Sequence, residues 1–421
     1  MIADGYKDTE IGVIPVEWDV VKLETICDVR DGTHDSPKYQ ENGIPFITSK
    51  HLTDNGVDFS DVNYISNEDH INFSKRSLVE NGDILFGMIG TIGKPLIVNY
   101  DFEFSIKNVA LLKFKNNTKL SNSFTLNLLK STIIDKQFSK LSNGGVQSFI
   151  ALGMIRSLKI PLPPLKEQEK IADILCSADD KIDAIASQIQ KAETLKIGLL
   201  QKLLSEGIGH SEFKDSELGK IPESWEVVEL KKLLTFKNGV NASKEQYGKG
   251  YRFINVLDII NNLTIKHDDI IGLVDITDKE FELYEVKYGD ILFQRSSETR
   301  EEVGQSNVYL DKEQSATFGG FVIKGSAKQE YNPVFMNYLF KIPTIRKQIT
   351  SKSGGSTRYN IGQSSLNQVV VQFPPLKEQK QIADILSTAD EKLEVLRAKK
   401  QKYETLKIGL LQKLLSGELR V

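Results

Sequence analysis

"PPLKEQEKIADIL", residues 163–175, returns as "PPLKEQKQIADIL" at residues 374–386, and each copy is followed by the same thirteen letters, "ETLKIGLLQKLLS", at 193–205 and 404–416. In the first copy Ile171, Leu175, Ala178, Ile182, Ile185, Ile189 and Ala192 step by four and three, the a/d seam of a coiled coil. Leu199 and Leu203 resume the step after Lys196. The second copy runs Ile382, Leu386, Ala389, Leu393, Leu396, Tyr403, Leu410 and Leu414, interrupted by Lys400 and Lys407. Pro and an acid stand in each first turn (Pro164, Glu167; Pro375, Glu378), and Gly207 and Gly417 follow the last leucines, so both helices have marked ends. A helix from Lys166 to Leu204 is roughly 58 Å long at 1.5 Å per residue. Such a rod buries its stripe only against a partner. The economical partner is its own copy, paired antiparallel with one globular domain at each end; a second chain is the competing partner. "LKIGLLQKLL" is apolar on more than one face, which calls for a second contact surface, the neighbouring domain or another protein. Gly198 and Gly409, inside the helices at about 1 kcal/mol each relative to Ala, point either to close backbone approach or to tolerance.

The duplication extends beyond the helices. "YKDTEIGVIPVEWDVVKL" from Tyr6 aligns with "FKDSELGKIPESWEVVEL" from Phe213, and "NGDILF" at Asn81 with "YGDILF" at Tyr288 in the same register. A period near 210 residues is too long for a solenoid repeat and fits tandem domains, each with its own helix. Runs such as Phe46-Ile47-Thr48 and Asp83-Ile84-Leu85-Phe86, bounded by Asn-Gly and Gly-Asp turns, read as strands. "SNSFTLNLLKSTIIDKQFSKL" has helical spacing. The expected fold is mixed α/β (α+β): two similar globular domains joined by two long helices in an intramolecular antiparallel coiled coil, pseudo-twofold. The boundaries are 1–162 and 207–373 for the domains, 163–206 and 374–421 for the spacer helices and tail.

Composition bounds the function. The chain has 421 residues, 40% hydrophobic and 26% charged, as in an ordinary soluble protein. The polar opening "MIADGYKDTE" and the lack of any run of eighteen apolar residues support neither export nor membrane spanning, so a cytoplasmic protein is expected. Cys27 and Cys176, far apart and outside any CxxC, read as buried small hydrophobes rather than a disulfide or zinc site. The net charge of −3 argues against a stand-alone nucleic-acid binder. Locally, nine Lys or Arg stand against one acid, Asp135, from Lys107 to Lys159, and six against Glu330 from Lys328 to Gln372. A solvated basic face is the bland alternative.

No catalytic or cofactor motif emerges. "GMIGTIGK" at Gly87 has Met88 where a phosphate loop needs Gly and Pro95 where it needs Ser or Thr, so it reads as a strand and turn. "LPPL" and "FPPL" lack the amide and the aromatic of an amino-methyltransferase box and read as helix starts. The five histidines show no metal spacing. His34, in "RDGTHDSPKY", is Asn241 in the second copy, "KNGVNASKEQY", as befits a position that reads something different in each half. The loops "LSNGGVQSF" and "KSGGSTRYN" offer Gln147, Ser148, Arg358 and Tyr359 to a phosphate backbone or base edges; a plain loop turn is the default for any one of them.

The paired "PPLKEQxxIADIL" and "LKIGLLQKLLS" helices, with two "IPxxWxVVxL" openings and two "GDILF" turns, resemble the specificity subunit of Type I restriction-modification systems over essentially the whole chain. The resemblance implies two target-recognition domains, each reading half of a split sequence in double-stranded DNA through the major groove. It implies no catalysis and no cofactor on this chain: two methyltransferase subunits dock on it to methylate adenine N6 with S-adenosylmethionine, and ATP-driven restriction subunits join. Candidate DNA-binding residues are Thr33, His34, Lys38, Gln147 and Ser148 in the first domain and Asn241, Lys244, Arg295, Arg358 and Tyr359 in the second. Leu199, Leu200, Leu410 and Leu411 are the candidates for docking the methyltransferase. A coiled-coil adaptor without base specificity is the alternative.

Overall fold

The computed structural model describes residues 4–141 and 149–421, and the chain divides into two compact units, Met1–Ser187 with Ala398–Val421 and Gln188–Arg397. In the first unit Gly93–Ile97, Ile84–Gly87, Val109–Lys113 and Asp28–Asp31 form, in that order, an antiparallel four-stranded sheet. Ser105–Lys107 and Asn63–Ile65 flank Ile44–Thr48 in a three-stranded sheet, the first of them parallel. The near-miss phosphate loop is the hairpin linking Ile84–Gly87 to Gly93–Ile97. The segment from Ser121 makes two helices rather than one, Asn122–Leu129 and Thr132–Leu141. Ser121 Oγ accepts from Phe124 N at the first start, and the Ser131 hydroxyl donates to Leu128 O at the break.

The second unit repeats both sheets. Its four-stranded sheet runs Ser306–Val308, Ile291–Gln294, Val322–Ala327, Leu234–Asn238. Its three-stranded sheet sets Tyr247–Ile254 between Leu273–Val274 and the parallel Thr317–Phe318. The repeated Gly-Asp turn has a structural cause. Asp83 is wholly buried, accepting from the Glu80 and Phe114 amides at 2.9 and 3.1 Å and pairing with Lys113 Nζ; Asp290 accepts from the Lys287 amide at 2.9 Å and lies 3.5 Å from Lys324 Nζ.

The long helices are Leu165–Ser205, 41 residues, and Leu376–Leu415, 40 residues. Within the first unit the start of the first helix faces the end of the second, with Lys407 Nζ on Asp179. Within the second unit the roles reverse, with Lys196 Nζ on Asp390. Lys196 and Lys407 thus interrupt the apolar seam because each pairs with an acid on the antiparallel helix. The stripe has two uses. Ile171 and Leu175 pack into the first unit's core and Ile382 and Leu386 into the second's, whereas Ile185 and Leu393 are buried farther along the helices.

The "KEQ" of the repeated motif joins helix to domain. Trp18 is fully buried and its Nε1 donates to Glu167 Oε2 at 3.0 Å; Trp225, also fully buried, donates to Glu378 Oε2 at 2.9 Å. Arg420 Nε completes the first site, donating to Glu167 Oε1 at 2.8 Å, and His210 Nε2 the second, 2.8 Å from Glu378 Oε1. Gln168 and Gln379, both without exposed surface, turn back on the carbonyls of Pro163 and Pro374 and accept from the amides of Ser121 and Asn332. A buried carboxylate needs partners of this kind, which fixes the letters on both sides. Gly207 and Gly417 end the helices at φ +68° and +70°, where a Cβ would strike Glu378 and Trp225 in one case and Pro15 in the other. Cys27 is buried, and desolvation pushes its thiol up to about 12; Cys176, expected to be buried, is exposed on the first long helix. Among the described residues no helix is long and apolar enough to cross a membrane, and no cluster of His, Cys, Asp or Glu is placed to hold a metal ion.

Candidate nucleic-acid interface

The loop after Asp28–Asp31 and the one after Leu234–Asn238 occupy the same place in their units. Thr33 N donates to Ile106 O at 3.1 Å and Val240 N to Phe318 O at 2.9 Å, each tying its loop to the end of the parallel strand. Gly32 and Gly239 are required there, because a Cβ would overlap the backbone at Ile106 and Gly319.

In the first unit Thr33 is buried and its hydroxyl stays in the turn, accepting from Asp35 N at 3.0 Å. His34 projects, its side chain 62% exposed, with Nε2 2.9 Å from Asp31 Oδ2 and Nδ1 2.6 Å from Asn108 Oδ1. Asp31 is buried and also pairs with Arg76. Asn108, at φ +52°, extends the chain of contacts: its carbonyl accepts from Ser49 Oγ, which accepts from the Met88 and Ile89 amides. Ile89 bridges to Phe149, and both are about half exposed. Lys38 is exposed on the same loop as His34. Gln147 and Ser148 lie outside the described residues.

The second unit brings Asn241, Arg295, Arg358 and Tyr359 to one edge. Asn241 Oδ1 fills the space a side chain at Gly320 would need. Arg295 N donates to Phe321 O at 2.8 Å, its Nη1 to Gly320 O at 3.2 Å, and its carbonyl accepts from Ile361 N at 3.0 Å. Tyr359 pairs in register with Ser297, and Asn360 with Ser296. Arg358 lies exposed, 3.9 Å from Glu298 Oε1. Lys244 stands apart, exposed in the turn Lys244–Gln246 beyond Asn241.

Sequence reasoning passed over Asn108 and Phe321. A left-handed Asn at a strand entry is invisible without the register, whereas the doubled glycine and aromatic of "FGGF", residues 318–321, were a readable signal. Several cations of the basic stretches are engaged within the chain. Lys113 and Lys115 hold Glu80 down at about 2, Arg156 donates to Val29 O, and Lys159 pairs with Glu10. In the second unit Arg346 donates to the Glu301 and Val303 carbonyls and Lys328 to Lys231 O.

The candidate docking residues are half-buried against their own units' cores, Leu199 and Leu200 in the second, Leu410 and Leu411 in the first. Beside them Leu195 and Ile197 are 60% and 58% exposed, and Leu406 and Ile408 are 53% and 60%. A Cβ at Gly198 or Gly409 would meet nothing within 4 Å, so neither glycine serves a close approach among the described residues.

The profile of the family described as Type I restriction modification DNA specificity domain matches residues 15–194 and 222–405. The chain is 31% identical to a protein of Methanocaldococcus jannaschii named as the MjaX specificity subunit of a type I restriction enzyme, covering 99% of this chain and 97% of the other. It is 21% identical to the EcoKI specificity subunit of Escherichia coli K12 over 88% of this chain and 82% of that one. Among solved structures it resembles the HsdS subunit of Thermoanaerobacter tengcongensis (TM-score 0.52, 16% identity, 96% and 98% covered) and the S subunit from M. genitalium (TM-score 0.53, 15% identity, 94% and 96% covered).

Proposed function

Because this chain belongs to the Type I restriction-modification DNA specificity family, we propose that each of its domains reads one half of a bipartite duplex sequence through the major groove. The chain is the DNA-recognition subunit of such a system and is itself non-catalytic. Residues 1–162 and 207–373 are the readers in this proposal, and the helices of 163–206 and 374–421 set the distance between half-sites. The observation that carries it is a contrast between equivalent positions. The helix-docking residues repeat nearly letter for letter, while exposed His34 corresponds in the second copy to exposed Asn241, and buried Met88 to the partly exposed Arg295. His34, Lys38, Gln147 and Ser148 contact the first half-site, and Asn241, Lys244, Arg295, Arg358 and Tyr359 the second; Thr33 holds its loop.

Two adenine-N6 methyltransferase subunits dock on the helices, and restriction subunits join them, all in the cytoplasm. The docking surface is centred on Leu195 and Ile197 in one copy and Leu406 and Ile408 in the other, with Leu199, Leu200, Leu410 and Leu411 at its inner margin. The acidic total is compatible with this role when the partners neutralise much of the phosphate charge, so the assembled complex binds DNA strongly and with steep salt dependence.

Mapping N6-methyladenine across a host genome with and without this gene tests the reading. One bipartite motif is expected, and exchange of residues 30–160 for another such domain changes only one half of it. Matched heptads after Ala184 and Gln401, which the Lys407–Asp179 register sets opposite each other, lengthen the gap by about three base pairs, from 1.5 Å per helical residue and 3.4 Å per base pair. Methylation without a motif would leave only an adaptor.

A further inference from the structure

We propose that Phe321 is a specificity-determining residue of the second domain, reading the C5-methyl of one thymine in its half-site. The inference rests on the DNA-recognition reading above. Phe321 is an insertion at the recognition edge. Gly320 N donates to Val240 O as Asn108 N donates to Thr33 O, and Val322 pairs with Gln294 as Val109 pairs with Gly87, so one extra residue lies between the matched positions. Its ring is pushed out, 64% exposed.

The backbone beneath the ring is fixed. Phe321 O accepts from Arg295 N at 2.8 Å and Val322 N donates to Gly319 O at 2.9 Å. Gly319 packs against the Phe253 ring and Gly320 against Asn241 Oδ1, leaving no room for a side chain on either. The exposed aromatic therefore stands on a fixed backbone and is no part of a buried core. Phe321, Val256 and Leu257 line two adjoining hollows of about 340 and 540 Å³. Asn241 and Tyr247 also line the first; Gln294, Ser296 and Arg358 also line the second. Leu257 is 62% exposed, and Gln294 Oε1 is buried without a hydrogen-bond partner, an acceptor that a donor entering the hollow would satisfy.

An apolar ring among Asn241, Arg295 and Arg358 suits a surface that is mostly polar with one apolar feature. The major groove of DNA is such a surface, and its apolar feature is the thymine methyl. The first unit has no counterpart at this place and instead exposes Ile89 and Phe149 on the neighbouring bridge.

The test uses the chain assembled with its methyltransferase and duplexes carrying the mapped target, each thymine of the second half-site replaced in turn by deoxyuridine, which removes only the methyl. Wild type loses about fourfold in affinity at one position, the worth of one buried methyl. Phe321→Ala binds thymine and uracil there alike, Phe321→Leu keeps part of the difference, and both keep the wild-type melting temperature. Equal binding of every uracil duplex by wild type, or undiminished discrimination by Phe321→Ala, overturns the proposal. Tolerance of mismatches in either half-site by wild type would instead overturn the DNA-recognition reading.

Discussion

The joint between helix and domain is built the same way in both units, and the loops at the proposed recognition edge are not. At the joint Trp18 and Trp225 each donate to a buried glutamate, Glu167 or Glu378. At the edge a His34–Asn108 contact in one unit stands where the other has Asn241 packed on Gly320. A joint buries charged and polar atoms that must all be satisfied, so almost any replacement leaves an orphan. Exposed loop residues meet no such requirement and can diverge at little cost in stability.

The comparison breaks most severely at the joint. Trp18→Ala and Trp225→Ala should each cost about 3–5 kcal/mol, the usual loss for a buried tryptophan, and by similar amounts if the joints are equivalent. Denaturant unfolding followed by a probe in each unit checks this. Glu167→Gln and Glu378→Gln keep an acceptor for the indole but lose the charge opposite Arg420 or beside His210. A loss of about 1–3 kcal/mol is expected for each, as for hydrogen bonds to charged groups.

Acid separates the units more gently. Lys113 and Lys115 hold Glu80 at about 2, below its ordinary 4.5, whereas the second unit has Lys287 at the matching position. A depressed carboxylate stabilises the fold above its unfolded value, and that contribution disappears as pH falls from 4.5 towards 2. With the side chain 26% exposed, screening reduces the effect to about 1 kcal/mol. Glu80→Gln should remove that part of the first unit's acid sensitivity and leave the second unit's unchanged in a pH series of melting curves.

Both long helices and their antiparallel partnership were legible in the sequence because an apolar period of four and three over forty residues has few other uses. The repeated "GDIL" and "KEQ" were legible as motifs but not as mechanisms. Their worth lies in contacts such as Gln168 to Ser121 that join residues far apart in sequence. Lys196 and Lys407 looked like defects in a seam until their partners, Asp390 and Asp179, were in view. The proposed recognition edge was only partly visible as loop chemistry. Loop glycines marked tight turns at Gly32 and Gly239, but the one-residue insertion at Phe321 shows only in the strand register, and the acids that pair with Lys113, Lys115 and Lys159 are far from them in sequence or unmarked as partners.

The smallest effect concerns what the two helices share. Gly198 and Gly409 face open space, so Gly→Ala at either adds a methyl without a clash and restores helix propensity, stabilising the isolated chain by about 1 kcal/mol each. Selection for stability alone would favour the alanines. Retention of both glycines beside exposed Ile197 and Ile408 is explained if a methyltransferase helix lies close against the backbone there. The same substitutions should then weaken assembly with the methyltransferase while raising the melting temperature, measured by titration and calorimetry on the same variants. Stabilisation with unchanged assembly would move the docking surface away from these turns, towards the half-buried leucines that follow them.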